Sequence, residues 1–86
     1  MKLSKNFTLS ELTKSQSATR LGLDNTPSMT VIDNLQALVD NVLQPLRDAL
    51  GKPISISSGY RSPEVNKAIG GSTTSDHTRG QAADIE

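Results

Sequence analysis

Apolar residues recur every three or four positions over residues 28–50, and this spacing predicts one long amphipathic helix. The apolar stripe consists of Val31, Ile32, Leu35, Leu38, Val39, Val42, Leu43, Leu46 and Leu50. Pro45 lies inside the stripe, and because proline has no backbone N–H we expect the helix to kink or break near residues 41–44. Gly51 follows as a helix terminator.

The segment before this helix predicts a shorter helix and a turn. Thr8 with Glu11 three residues later fits a capping box, so TLSELTK is expected to begin a helix. The next segment, SQSAT at residues 15–19, is weak helix sequence and Gly22 follows it, so this first helix should be short. Residues 24–27, DNTP, are typical of a turn that leads into the long helix.

After the long helix the pattern changes to strand, helix and strand. PISISSG at residues 53–59 alternates isoleucine with serine, as in a half-buried strand. Ser62 is a candidate N-cap with Pro63 at the first helical position, and Gly70 and Gly71 would end a helix of about two turns.

The C-terminal residues predict a second strand after a polar turn. We expect STTSDH at residues 72–77 to enter a strand, TRGQ at 78–81 to turn, and AADIE at 82–86 to form the final strand. Alternation places Ala82, Asp84 and Glu86 on one face of that strand and Ala83 and Ile85 on the other.

The order of elements predicts an α+β fold in a single domain over residues 1–86. Its N-terminal helices would pack on a small, mainly antiparallel sheet that is incomplete at its C-terminal end. The last strand would then be an exposed edge, so we expect self-association through residues 82–86. A strictly monomeric sedimentation profile at high concentration would contradict this expectation.

Composition limits the core of the protein. The chain has 86 residues, which is enough for one small domain and too few for two. Only 34% of the residues are hydrophobic, with one tyrosine, one phenylalanine and no tryptophan, so the core must be small and aliphatic.

The net charge and the absence of cysteine and of long apolar segments limit which partners and cofactors the protein is expected to bind. Nine basic and nine acidic residues give a net charge of zero, which argues against nucleic acids and anionic membranes as partners. The absence of cysteine excludes disulfides and Cys-ligated zinc. The N-terminus has no apolar segment typical of a signal peptide, and no apolar run approaches the roughly 20 residues that cross a bilayer.

The single histidine of the chain is a candidate metal ligand. His77 precedes Asp84 by seven residues, and an imidazole nitrogen and a carboxylate oxygen both suit zinc. If residues 75–77 and 82–86 form adjacent strands, the two side chains meet on one face. Gly80 would supply the backbone angles that the intervening turn needs.

Two side chains do not complete a catalytic zinc site, which needs three protein ligands and an open position for water. Asp76 and Glu86 are further carboxylates in this region, but neither is an obvious third ligand. On spacing alone, a surface histidine hydrogen-bonded to an aspartate is the default interpretation of His77 and Asp84.

Several motifs in order resemble one family. The pattern S-x-H-x-x-G-x-A-x-D corresponds to Ser75, His77, Gly80, Ala82 and Asp84, and SGYRSPEVNKAIGG precedes it. Together they resemble the zinc D-Ala-D-Ala carboxypeptidases and L,D/D,D-endopeptidases that cut peptidoglycan peptides. NFTLSEL, DNTP and LQPLRDALGKPISISSGYRSP resemble the N-terminal half of phage and prophage members, so the similarity covers nearly all of the chain.

The resemblance implies roles for four residues. His77 and Asp84 would be two zinc ligands, Arg61 would bind substrate or stabilise the developing oxyanion, and Ser75 would support the metal or the substrate. The family's third ligand, a histidine, and its catalytic glutamate lie further downstream, and Glu86 follows Asp84 too closely to match that glutamate. We therefore expect a C-terminally truncated portion of a zinc-peptidase domain that holds zinc poorly and is weak or inactive alone.

The resemblance also implies a zinc-dependent peptidase that hydrolyses peptidoglycan stem or cross-link peptides. Made in the bacterial cytoplasm, the protein would act at the cell wall, in a phage or prophage setting. The alternative is a non-catalytic cell-wall-binding or phage structural module with the same fold. Two residues also have plainer alternatives, since Arg61 is equally suited to capping the strand end or pairing with Glu64, and Ser75 to an ordinary turn.

Overall fold

Helices occupy the first half of the chain, and a small antiparallel sheet joins them in the second half. The computed structural model describes residues 1–72 and 74–85. The helices are α1 (Leu9–Thr13), α2 (Gln16–Leu21), α3 (Met29–Leu38), a π-helical segment (Val39–Leu43), α4 (Gln44–Leu50), α5 (Pro63–Ala68) and a 3₁₀ helix (Asp76–Arg79). The strands are β1 (Ile56–Ser58) and β2 (Asp84–Ile85). The predicted α+β class is confirmed.

Helix α1 begins with the predicted capping box. The Thr8 hydroxyl accepts a hydrogen bond from the Glu11 N–H, and the Glu11 carboxylate accepts one from the Thr8 N–H at 3.0 Å. Helix α2 was not predicted, because SQSAT has weak helix propensity. It forms because Ser15 acts as its N-cap, accepting from the Ala18 N–H at 3.1 Å, and because Gly22 ends it in the left-handed conformation.

The predicted long helix runs from α3 to α4 with an interruption at the predicted place. Pro45 cannot donate a hydrogen bond to the carbonyl of Asn41, so the backbone widens into the π-helical segment. The Gln44 N–H consequently reaches back five residues to the Val39 carbonyl. Gly51, in the left-handed conformation, ends the helix as predicted.

The core lies between the long helix, α1 and the segment after β1. It consists of Leu3, Phe7, Leu12, Val31, Leu35, Val39, Leu43 and Tyr60. The apolar stripe is narrower than predicted, because Val42 and Leu50 are about half exposed and only the positions spaced by four residues are buried. No helix in the described part of the chain is long and apolar enough to cross a membrane.

Residues 24–27, predicted as a turn, form an irregular link between α2 and α3 that is tied to the start of α5. The Asp24 carboxylate accepts from the Thr26 hydroxyl at 2.6 Å and from its N–H at 2.9 Å, and these bonds hold the pKa of Asp24 below its usual value. The Asp24 carbonyl also accepts from the Ser62 hydroxyl at 2.9 Å. Burial raises the pKa of the Tyr60 phenol, and the negative charge of Asp24 adds to the effect.

The sheet is smaller than predicted. Strand β1 pairs antiparallel with β2, with Ile56 opposite Ile85 and Ser58 opposite Asp84. Only two residues of the predicted final strand pair in this way, and Glu86 lies outside the described residues.

The prediction that a strand begins in residues 72–77 is wrong. Asp76 begins a 3₁₀ helix instead, because the Ser75 hydroxyl accepts from the His77 N–H at 3.3 Å. Gly80, with a φ of 74°, ends this helix in the left-handed conformation, so it has the unusual backbone angles that the sequence predicted.

Candidate metal centre and adjoining cleft

His77 and Asp84 lie side by side in the folded chain. His77 Nε2 is 3.6 Å from Asp84 Oδ2, and the two side chains are 13% and 65% exposed. They meet across a 3₁₀ helix and a strand, rather than across the hairpin on which the sequence argument depended. The pair is therefore anchored on the histidine side and open to solvent on the aspartate side.

A backbone carbonyl orients the imidazole. His77 Nδ1 lies 2.8 Å from the Gly59 carbonyl oxygen. Because a carbonyl can only accept a hydrogen bond, Nδ1 must carry the hydrogen, and the lone pair of a neutral ring is then on Nε2. A metal-binding histidine is typically held in this way by a second partner, and here the free nitrogen points toward Asp84.

The distance between the two side chains fits a shared metal ion. Zinc ligands at about 2.0–2.2 Å in tetrahedral geometry lie about 3.3–3.5 Å apart. The observed 3.6 Å between Nε2 and Oδ2 needs only a small adjustment of the exposed Asp84 side chain. Among residues 1–72 and 74–85, no cluster of three or more His, Cys, Asp or Glu side chains could hold a metal. The described residues therefore bring together one histidine and one aspartate, which are fewer than the three protein ligands of a catalytic zinc site.

Arg61 is joined to the histidine through the backbone. Its N–H donates to the His77 carbonyl at 3.1 Å, and its Nη2 donates to the Ser75 hydroxyl at 3.4 Å. Its Nε is buried and has no partner in the described part of the chain. No ion pair joins it to Glu64 among those residues. Among the described residues, Nη2 is thus the one nitrogen of this guanidinium with a hydrogen-bond partner.

The Ser75 hydroxyl forms hydrogen bonds both with the local backbone and with Arg61. Its hydroxyl accepts from the His77 N–H and from Arg61, so it links the 3₁₀ helix to the guanidinium. Asp76 turns away from the pair and lies 3.6 Å from Arg79 on the surface. The structure therefore brings all four predicted site residues into one region, with Asp76 outside it.

Asn25 is a positioning residue that the sequence analysis missed. Its amide nitrogen donates to the carbonyls of Thr13 at 2.7 Å and Tyr60 at 3.1 Å. Its amide oxygen accepts from the Ser62 N–H at 2.7 Å. It thus holds the residues on both sides of Arg61 against the end of α1. The sequence signal was only a turn asparagine, which does not reveal partners 12 and 35 residues away.

Gly59 is a second missed position. The Tyr60 N–H donates to the Leu12 carbonyl at 2.7 Å, which brings the backbone at Gly59 against the end of α1. A Cβ built on Gly59 would lie 2.3 Å from that carbonyl oxygen. A glycine at the end of a strand was the available signal, because such a glycine often marks a close backbone approach.

A cleft of about 410 Å³ adjoins the pair. It lies between β1 and the link joining α1 to α2, and its lining residues are Lys14, Ser15, Gln16, Ser17, Ile56, Ser57, Ser58, Arg61 and Ile69. Neither His77 nor Asp84 is among its lining residues, so the cleft is distinct from the candidate metal centre. Arg61 belongs to both, since it lines the cleft and bonds to residues 75 and 77.

Comparison with known proteins identifies the family. The protein-family model described as Peptidase M15 matches residues 5–86 of this chain. The chain therefore belongs to the peptidase M15 family, and the resemblance stated from its motifs is confirmed. It is also similar to a zinc D-Ala-D-Ala carboxypeptidase of Streptomyces albus G, with 46% identity over 44 residues. That match covers 50% of this chain and 17% of the relative, so it spans less than one fifth of that protein's length.

Proposed function

We propose that this protein acts as a zinc-dependent peptidase on peptidoglycan stem or cross-link peptides, with His77 and Asp84 as two of its metal ligands. The observation that carries the proposal is the paired geometry, with Nε2 3.6 Å from Oδ2 and Nδ1 held by Gly59. Membership of the peptidase M15 family and the similarity to a zinc D-Ala-D-Ala carboxypeptidase support the reaction and the metal. Action at the bacterial cell wall, in a phage or prophage setting, is part of the same proposal.

Each named side chain has a distinct task in this proposal. When bound, zinc would supply Lewis-acid activation of the scissile carbonyl and of a water molecule. Arg61 would bind the substrate or stabilise negative charge on the carbonyl oxygen, because its donors are held beside His77 by backbone and Ser75 contacts. Two ligands are fewer than the three of a catalytic site, so another ligand and a general base complete the centre.

Zinc titration of the 86-residue chain by calorimetry tests the metal ligands. We expect one weak site per chain, because two protein ligands leave the coordination of zinc largely to water. His77→Ala and Asp84→Asn should each lower the zinc affinity at least tenfold, since the first removes the imidazole donor and the second replaces a charged carboxylate by a neutral amide. Asp76→Asn is the matched control, because Asp76 lies on the surface beside Arg79 and should leave zinc binding unchanged.

A second readout identifies the atom that binds. Zinc should shift the ¹⁵N resonance of His77 Nε2, while Nδ1 keeps its hydrogen and its bond to Gly59. Equal zinc affinity in wild type and His77→Ala would contradict the proposed ligands. Binding of purified peptidoglycan without any zinc site would instead favour a non-catalytic cell-wall-binding module.

A further inference from the structure

The cleft beside the metal pair contains one cation, Lys14, that has no task in the proposed reaction. Of the described residues, two cations, Lys14 and Arg61, line it, and the other polar residues among them are uncharged. No carboxylate in the described ranges 1–72 and 74–85 forms an ion pair with either cation. An anionic group of a ligand is the natural partner for such a cleft.

The backbone around Lys14 is held on both sides. Before it, the Thr13 carbonyl accepts from the Asn25 amide at 2.7 Å. After it, the Ser15 hydroxyl accepts from the Ala18 N–H at 3.1 Å and starts α2. Lys14 itself is extended, with φ −67° and ψ 129°. Lys14 is exposed, so its cation is accessible to a ligand at the wall of the cleft.

The rest of the lining suits an extended peptide. Serines line both walls, with Ser15 and Ser17 on one side and Ser57 and Ser58 on the other. The Ser15 hydroxyl caps α2 and the Ser57 hydroxyl donates to the Asp84 carbonyl, so Ser17 and Ser58 are the serines whose hydroxyls have no partner in the described part of the chain. Such groups donate and accept hydrogen bonds, which matches the alternating N–H and C=O groups of a peptide backbone. Because Arg61 joins this cleft to His77, a peptide cut at the metal pair would extend from there into the cleft.

We propose that Lys14 recognises a carboxylate of the substrate peptide that lies outside the bond to be cut, so that the cleft selects acidic stem peptides over their amidated forms. This inference rests on the proposed function and adds a specificity residue to it. Among the described residues Lys14 forms no ion pair with His77 or Asp84, and its role is selection of the substrate rather than chemistry.

Two synthetic peptides that differ in one group provide the test. Both are N-acetyl-γ-D-glutamyl-L-lysyl-D-alanyl-D-alanine, and the glutamyl α-carboxyl group is free in one and amidated in the other. Their affinities for the metal-free 86-residue chain would be measured at low ionic strength by ¹⁵N chemical-shift titration, following the amides of residues 15–17 and 57–58. Without metal, neither peptide is cut during the titration.

Wild-type protein should bind the free-carboxylate peptide about three- to fivefold more tightly than the amidated one, as expected for one exposed ion pair. Lys14→Gln should remove this preference by weakening only the free-carboxylate peptide, and Lys14→Arg should keep it. Lys52→Gln is the matched control, because it removes an exposed lysine that does not line the cleft.

Other outcomes would overturn the inference. Equal weakening of both peptides by Lys14→Gln would mean that Lys14 is structural, and an unchanged preference would mean that another group reads the carboxylate. If zinc binds normally and neither peptide binds, the proposed role of the cleft is wrong, but the proposed metal ligands are still supported. Failed zinc uptake with a Lys14-dependent peptide preference would overturn the metal ligands alone.

Discussion

Gly59→Ala is expected to lower the free energy of unfolding by about 3 kcal/mol or more, at the upper end of overpacking costs. The added Cβ would lie 2.3 Å from the Leu12 carbonyl oxygen and 2.9 Å from the carbonyl carbon, and neither is the flexible end of a side chain. Relief of this overlap breaks the bond from Tyr60 to Leu12 and moves the carbonyl that orients His77. Urea unfolding followed by circular dichroism measures the loss.

Gly51→Ala is the control that separates the cost of this steric overlap from the general cost of replacing a glycine. Gly51 has a φ of 65°, and a Cβ added to it would meet no atom within 4 Å, so Gly51→Ala should cost only the left-handed strain of about 1–2 kcal/mol. If Gly59→Ala retains its fold, its zinc affinity should fall about 10- to 100-fold, because the support of Nδ1 is disturbed. A Gly59→Ala protein as stable as Gly51→Ala, with normal zinc binding, would refute this account.

Asn25→Asp is expected to destabilise the protein by about 2–3 kcal/mol, because a carboxylate of nearly the same shape cannot donate hydrogen bonds. The carbonyls of Thr13 and Tyr60 would lose their donor and face a negative charge, while the Ser62 N–H would keep its acceptor. At acidic pH the protonated carboxyl regains one donor, so the deficit relative to wild type should narrow. Thermal unfolding across pH measures both effects.

Asn34→Asp is the matched control for this prediction. Asn34 donates one exposed bond, to the Arg79 carbonyl at 2.8 Å, so its loss should cost less than about 1 kcal/mol. Because Asn25 holds both neighbours of Arg61, we also expect the backbone amide resonances of residues 60–62 to move in Asn25→Asp. Unchanged resonances there, with wild-type stability, would show that Asn25 does not position Arg61.

Local signals in the sequence predicted several elements correctly. The capping box at Thr8 and Glu11, the Ser62 cap of α5 and the left-handed Gly51 each depend on atoms within a few residues. The break in the long helix depends on the missing N–H of Pro45, which is equally local. Helix α2 was not predicted, because the Ser15 cap stabilises a segment whose intrinsic helix propensity is weak.

Local sequence signals predicted only part of the candidate site. Motif resemblance selected His77, Asp84, Arg61 and Ser75, and all four lie in one region of the structure. The strand predicted around His77 was wrong, because the Ser75 cap and Gly80 favour a 3₁₀ helix. The hydrogen bond from His77 to Gly59 spans 18 residues, and no local pattern encodes such a partner.

The sequence by itself determined the α+β class, the long interrupted helix, the small size of the core and the residues that resemble a metal site. Those features follow from periodicity, capping and residue chemistry, which act over one or two turns of chain. The core is mostly aliphatic, but both aromatic residues, Phe7 and Tyr60, also pack into it. The tertiary structure alone decided which nitrogen of His77 faces Asp84, how Asn25 brackets Arg61, and where Lys14 meets the cleft. These depend on the close approach of Gly59 to Leu12 at the end of α1, a contact between distant segments of the chain that arises only when the core packs.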